Sequence, residues 1–305
     1  MSRSKVALLP ARGVLSVSGP DASRMLQGIV TNDMELLGLQ PALHAGLLSP
    51  QGKILFDFFI VTSGDGLLIE THKSALAPLK QRLEMYRLRS KADIRDVSAD
   101  YTVSVAWKEN GEAASLAAHS SHTLAFADPR HPGLGERHLA SLETNWRRDL
   151  SGTDAATEDD YHAHRVALGV PEAGLDFEIG DAFPHEALYD QTRTVSFTKG
   201  CYVGQEIVSR MQHRGTARKR VVLVTGERAL PQRGAEVQAG GVGIGRLGTV
   251  AGTHGLALVR LDRLAEFAAK GEGARAGDVP ISVTVQDWVS FSLVPAGTGA
   301  PGEPS

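Results

Sequence analysis

Cysteine is almost missing from this chain: Cys201 is the only one in 305 residues. That excludes an intramolecular disulfide, and it excludes a zinc or iron–sulfur site built from several of the chain's own thiolates. A chain free of disulfides suits a reducing compartment, so the cytoplasm is the expected location. Aromatic residues are also sparse, at 6%. They do not interleave with the basic residues, so direct nucleic-acid binding is not expected. No apolar run approaches the roughly 20 residues of a spanning helix, and no membrane association is expected. Arg3 and Lys5 lie near the start, but Leu8-Leu9 is too short an apolar core for a secretory signal. Charge of one sign is lacking too: a net charge of −3 points to no particular partner.

The hydrophobic fraction of 42% is ordinary for a soluble globular protein. A chain of 305 residues exceeds the size at which one core keeps growing, so two or three structural units are expected. Gly13 to Ser18 alternates like a strand, and Ala22, Met25, Leu26 and Ile29 then mark one face of a helix. Thr31-Asn32-Asp33 ends that helix with turn-forming residues. His44 to Leu48, Ile54 to Val61 and Leu67 to Glu70 read as strands joined by polar, glycine-containing turns. Leu76, Leu79, Leu83 and Tyr86 mark a helix starting near Lys73 or Pro78. Further strands are expected at Ile94 to Val97 and Tyr101 to Ala106. The stretch from Glu109 to Pro132 reads as a surface excursion. Glu158 to Leu168 should be a helix capped by Thr157.

Past about residue 213 the texture changes to short β-rich runs separated by glycines, as in a small barrel. These are Arg220 to Thr225, Val242 to Leu247, Gly255 to Leu261 and Ile281 to Val285. Residues 296–305 are rich in Pro, Gly and Ser and are expected to be disordered. The run Gly240-Gly241-Val242-Gly243-Ile244-Gly245 lacks the following helix and the ribose-binding acid of a dinucleotide fingerprint, so a turn is expected there.

Cys201 sits in Lys199-Gly200-Cys201-Tyr202-Val203-Gly204-Gln205-Glu206. Two glycines permit close backbone approach, and a lysine two residues before a thiol can favour its thiolate. Residues 199–220 also carry Lys199, Arg210, Arg214, Arg218, Lys219 and Arg220 against one acid, Glu206. Such a run is either a solvated face or a seat for an anion: a folate glutamate tail, a phosphate, or (least in keeping with the missing aromatics) RNA. A thiol nucleophile would need a base, and His185 and His213 are the nearest histidines in sequence.

The octapeptide resembles the signature of the YgfZ family, folate-binding relatives of the glycine-cleavage aminomethyltransferase that include a mitochondrial iron–sulfur maturation factor. Other segments agree in order: Leu26-Gln27-Gly28-Ile29-Val30-Thr31-Asn32-Asp33, Gly52-Lys53-Ile54-Leu55-Phe56-Asp57, Arg165 with Leu168-Gly169, Phe183-Pro184-His185-Glu186, and Gly215 to Arg220. The resemblance implies an α+β protein, with an aminomethyltransferase-like folate-binding body at 1–212 and an antiparallel β-barrel at 213–295. It also implies tetrahydrofolate as cofactor and iron–sulfur client or assembly proteins as partners, tRNA-modifying enzymes among the clients.

Four residues are then expected at the working thiol: Cys201 itself, Lys199 lowering its pKa, and Gln205 and Glu206 fixing its loop. Glu186 is the expected pterin carboxylate, Tyr202 or Phe56 would pack on the ring, and Arg220 would meet the tail. Aminomethyltransferases carry an acidic pair where this chain has Phe56-Asp57, so Asp57 alone could keep part of that role. A one-carbon transferase and a folate-binding scaffold without chemistry remain as alternatives.

Overall fold

A computed structural model describes residues 3–64, 66–109, 123–142, 153–215 and 217–293. Two strands open the chain, β1 (Lys5–Leu8) and β2 (Arg12–Ser18), and they join different sheets. Helix α1 (Ala22–Gln27) and a 3-10 turn at Met34–Gly38 follow. Next come β3 (Ala42–Leu48), β4 (Ile54–Ser63), β5 (Gly66–His72), helix α2 (Lys73–Arg87) and β6 (Asp93–Asp96). The order β3-β4-β5-β2-β6 makes one sheet, antiparallel throughout.

The second sheet uses β7 (Tyr101–Trp107), β8 (Thr123–Ala127), β9 (Glu136–Ser141) and β10 (Asp154–Ala156), in the order β10-β1-β7-β9-β8. Thr123–Ala127 lies within the stretch expected to be a surface excursion. Its alternation turns Phe126 into the core, which is why it pairs as a strand; residues 110–122 lie outside the described part.

Period-two alternation explains how the first sheet is held. Leu15, Val17, Phe58, Ile60 and Ile69 point toward α1 and α2, while Val14, Phe59, Val61 and Leu68 point toward the second sheet, Trp107 and Tyr161. Both faces are buried, so these strands read as nearly continuous apolar runs. Charge also enters the inter-sheet layer. The guanidiniums of Arg137, Arg130 and Arg12 lie 4.3, 4.8 and 5.9 Å from the Phe59 ring centre. Glu70 takes Arg12 at 2.6 Å and Arg137 at 2.6 Å, and Asp128 takes Arg130 at 2.8 Å. Removing one partner would strand a buried charge, which ties the two sheets to a single packing.

Helix α3 (Glu158–Leu168) begins at Thr157 as expected, with a complete capping box: Asp160 N donates to Thr157 Oγ1 and Thr157 N to Asp160 Oδ2. Gly169, at φ 73°, ends it. Helix α4 (Gln205–Arg214) leads into the barrel strands β11 (Lys219–Gly226), β12 (Glu236–Ala239), β13 (Val242–Ala251) and β14 (His254–Arg260). Helix α5 (Leu261–Ala269), β15 (Ala274–Ala276) and β16 (Val279–Thr284) complete it. The six strands close in the order β11-β14-β13-β12-β15-β16, each pair antiparallel.

Gly240 and Gly241, at φ 56° and 75°, turn the β12–β13 hairpin; no nucleotide loop forms there. Helices α4 and α5 are not foreshadowed by a cap: neither N-cap residue, Gly204 or Arg260, makes a side-chain capping bond. The α+β class with a C-terminal antiparallel barrel is what the sequence led one to expect. The stretch expected to be disordered, 296–305, lies outside the described residues.

The body and barrel share polar ties around the end of α3. Arg165 donates to Asp176 at 2.5 Å and to Thr249 Oγ1 at 2.7 Å. Gln286 Nε2 donates to Gly169 O and Trp288 Nε1 to Leu168 O, each at 2.8 Å.

Candidate functional site

Three of the sequence segments singled out above converge around Cys201. Lys199 is buried, and its Nζ donates to the carbonyls of Gln27 at 2.7 Å, Val30 at 2.8 Å and Asn32 at 2.8 Å. An ammonium has three protons, and all three are used on the end of α1 and the turn after it. Burial pulls Lys199 down to about 8. Its place is therefore that of a tether for the loop, turned inward from the thiol it was expected to activate. Thr31 and Asn32 extend the clamp. Thr31 Oγ1 donates to Thr194 O at 2.7 Å, and Asn32 Nδ2 donates to His44 O at 2.8 Å and Arg193 O at 2.7 Å.

The other side of the loop is set by two glycines. Gly204 has φ 81°, and a Cβ there would stand 2.5 Å from Ser49 O. Gly52 has φ 78°, and a Cβ there would stand 2.9 Å from Ile207 Cβ. The β3–β4 turn and the start of α4 thus interlock through positions that only glycine fills. Cys201 is exposed at this junction. Tyr202 is buried among Leu48, Ile54, Tyr189 and Val208, with Lys199 Nζ 5.3 Å from its ring centre. Gln205 opens α4, its N–H donating to Tyr202 O at 3.3 Å. Glu206 faces solvent and pairs with Arg210 at 2.7 Å, so it braces the helix surface and not the loop.

A separate cavity of about 650 Å³ opens on the body. Phe56 and Asp57 from β4, Arg12 from β2, Glu158 and His162 from α3 and Glu172 from the following loop line it, with Arg233 contributed by the barrel. Leu55, Ala75, Pro78, Leu175 and Ile179 supply apolar wall. Asp57 Oδ2 lies 3.6 Å from His44 Nε2, and His44 Nδ1 meets Thr194 Oγ1 at 2.9 Å. Burial holds His44 below its usual value, so it is neutral near pH 7. Burial alone would raise Asp57, but His44 and Arg12 hold it below the usual carboxylate range. Glu172 is likewise opposed by burial, yet Arg12 and Arg165 keep it ionised. Arg12 Nη1 lies 3.3 Å from Glu172 Oε1 and Arg165 Nε lies 3.6 Å from Oε2. Glu158 is raised by burial and by the charge of Glu172.

Asp57 and Phe56 are therefore in the cavity, while Glu186, Tyr202 and Arg220 are not among its walls. Glu186 closes its own turn, accepting from Phe183 N at 2.9 Å, and borders a shallow groove of about 390 Å³. Arg220 turns inward to Asp190 at 2.6 Å and to His185 O at 2.7 Å. His185 is held by Gln212 at 2.9 Å. Sequence reasoning missed Arg12 and Glu172. Glu172 follows Gly169 and Pro171 directly after α3, and no local pattern tells which loop folds over Asp57.

Residues 218–291 match the family described as the CAF17 C-terminal beta-barrel domain. Over 233 residues the chain is 37% identical to the mitochondrial iron–sulfur cluster assembly factor IBA57 homolog of Mycosarcoma maydis, an alignment covering 72% of this chain and 56% of that protein. Against the IBA57 factor of Homo sapiens it is 32% identical over 304 residues, covering 92% of this chain and 84% of the human protein. The chain belongs to the IBA57 family. It thus spans a little over half of the fungal member and most of the human one.

The solved structure of glycine cleavage system aminomethyltransferase T from Bartonella henselae superposes with a TM-score of 0.73, covering 94% of this chain and 87% of that one at 13% identity. This likeness establishes that an IBA57-family body has the aminomethyltransferase fold, and it establishes the fold alone.

Proposed function

We propose that the protein is an iron–sulfur cluster assembly factor that offers Cys201 to a cluster in transit and binds a reduced folate in the cavity around Asp57 and Glu172. The observation that carries the first half is the setting of Cys201: an exposed thiol on a loop that Lys199 and Gly204 hold fixed. One thiolate supplies one ligand, so a cluster handled here takes its remaining ligands from a partner. The relatives' names as iron–sulfur cluster assembly factors support the same reading. Clients in this proposal include tRNA-modifying cluster enzymes, and the setting is the reducing cytoplasm.

The cavity residues fit a folate. A volume of about 650 Å³ lies within the usual range for small-molecule sites. Leu55, Phe56 and Leu175 can cover the faces of a planar ring. Glu172 can accept from the ring's amino and amide edge, because its arginine contacts at 3.3 and 3.6 Å are longer than strong charge-assisted bonds. Arg233 at the barrel side suits the tail carboxylates. The pterin carboxylate in this proposal is therefore Glu172, with Asp57 beside it, instead of Glu186. Bound tetrahydrofolate would supply a reduced pterin able to carry a one-carbon unit.

The test is an anaerobic titration with tetrahydrofolate of wild type, Glu172→Gln and Glu186→Gln, run alongside reactivation of an apo client by wild type and Cys201→Ala. Binding lost in Glu172→Gln and kept in Glu186→Gln supports the cavity, and equal binding by all three removes it. Undiminished reactivation by Cys201→Ala removes the thiol. A one-carbon transferase is the second reading, favoured by Asp57 in the cavity wall. It predicts turnover with tetrahydrofolate and a small amine donor, needing Asp57 and not Cys201.

A further inference from the structure

We infer that the groove between α4 and the first barrel strand docks an acidic, amphipathic segment of a partner protein. The inference rests on Cys201 as the thiol offered to a partner and adds that partner's chemistry. The floor of the groove is apolar, formed by Phe183, Ile207 and Met211. Ile207 and Met211 are four residues apart, so they share one face of α4. Arg210 and Arg214 have the same spacing and form the neighbouring row on that helix. Arg218, Lys219 and Arg260 make the opposite rim. Cations therefore flank an apolar floor from two separate elements.

The acids nearby cancel only part of this charge. Glu206 is taken by Arg210 and Asp262 by Arg260. Glu186 also lines the groove, turned to Phe183 N and close enough to Lys219 to offset part of its charge. Among the described residues, Arg214 and Arg218 have no ion-pair partner. Helix-dipole stabilisation explains basic residues in the last turn of α4, but Arg218 and Lys219 lie beyond the helix and need another account.

The charge calls for carboxylates at both rims, and the floor calls for one or two apolar side chains between them. A nucleic acid fits less well, because the face of Phe183 is already covered by Lys53 Nζ, 3.6 Å from the ring centre. Cys201 precedes Ile207 by six residues, so chain geometry keeps the thiol within about 20 Å of the floor.

The probe is a fluorescein-labelled 14-residue peptide of glutamate pairs separated by single leucines, with lysine replacing glutamate in the control. Fluorescence anisotropy should show the acidic peptide binding wild type. Binding should weaken at least tenfold in Arg214→Glu/Arg218→Glu, both exposed positions, and on raising salt from about 50 to 200 mM. Equal binding by the double variant, binding by the lysine peptide, or equally effective competition by single-stranded RNA would overturn the proposal.

A second arm separates the groove from the thiol. The acidic peptide carries an N-terminal cysteine activated as a 2-pyridyl disulfide. Cys201 thiolate attacks the peptide's sulfur, a protein–peptide disulfide forms, and the pyridyl S–S bond breaks to release 2-thiopyridone with the electron pair and a proton. Wild type should react at least tenfold faster than Arg214→Glu/Arg218→Glu. Tight binding without that acceleration would overturn Cys201 as the presented thiol, whereas absence of binding overturns the docking groove itself.

Discussion

Gly204 and Ser49 approach so closely that a methyl group on Gly204 would fall 2.5 Å from the Ser49 carbonyl oxygen. Two family segments distant in sequence meet beside this contact, where Gly52 Cα stands 3.1 Å from the same methyl position, and Cys201 lies three residues from Gly204. Gly204→Ala meets both the overlap and a φ of 81°. It should destabilise the protein by about 2–4 kcal/mol, read as a lowered midpoint in urea unfolding. A loss below about 0.5 kcal/mol would mean that the loop is free to shift.

Lys199→Met should also be costly, although the residue lies beside the exposed thiol. It leaves three carbonyls, of Gln27, Val30 and Asn32, without their donor. Buried groups left unpaired cost enough to predict a loss of about 2–4 kcal/mol. An unchanged unfolding midpoint would show that water replaces the ammonium there.

Cys201→Ser should behave oppositely. The thiol is exposed, so stability should change by no more than about 0.5 kcal/mol. Client reactivation should be lost all the same. A variant that unfolds easily would instead make Cys201 a packing residue.

Glu172→Gln should raise the dissociation constant for tetrahydrofolate at least tenfold, a loss of about 1.4 kcal/mol or more. Glu186→Gln should leave it unchanged, since that side chain accepts from Phe183 N outside the cavity. Isothermal titration of both variants decides the point, and the reverse ranking would return the pterin to Glu186.

Mild acid should weaken the fold before the buried, arginine-paired carboxylates are lost. Burial lowers His44, His131, His162, His164 and His185 from their ordinary value. Below about pH 6.5 the unfolded chain therefore takes up protons that the folded chain refuses, and stability falls as pH falls. Asp57, Glu70, Asp128 and Glu172 are held low, so their contribution persists until about pH 4 and below. Denaturant midpoints at pH 7.5 and 5.5 should differ, the acid one lower. Equal midpoints would contradict the buried neutral histidines, and His44→Gln should reduce the slope.

The fold was legible wherever the chain obeys a simple period. Strand β2 and helix α3 announce themselves by alternation and by the cap at Thr157. Helix α4 was hidden, because it starts from a left-handed Gly204 with no capping side chain and is dense in charge. At the site, Cys201 and Asp57 were legible from the family segments they belong to. Glu172 and Arg12 were not, since their meeting at 3.3 Å joins positions 160 residues apart. Lys199 was legible as a basic neighbour of the thiol, but its direction was not. Which way a lysine points depends on the carbonyls that α1 leaves open, and those belong to another part of the chain.

The ties from Gln286 and Trp288 to Gly169 and Leu168 bear on how the protein is made. During synthesis, residues 286 and 288 leave the ribosome after every element they hold down. The carbonyls at the end of α3 gain those partners only once residues 286 and 288 have emerged, so this end of the body is finished last. A ribosome stalled within the barrel would hold out a body with that end still open, a nascent chain for chaperones to guard.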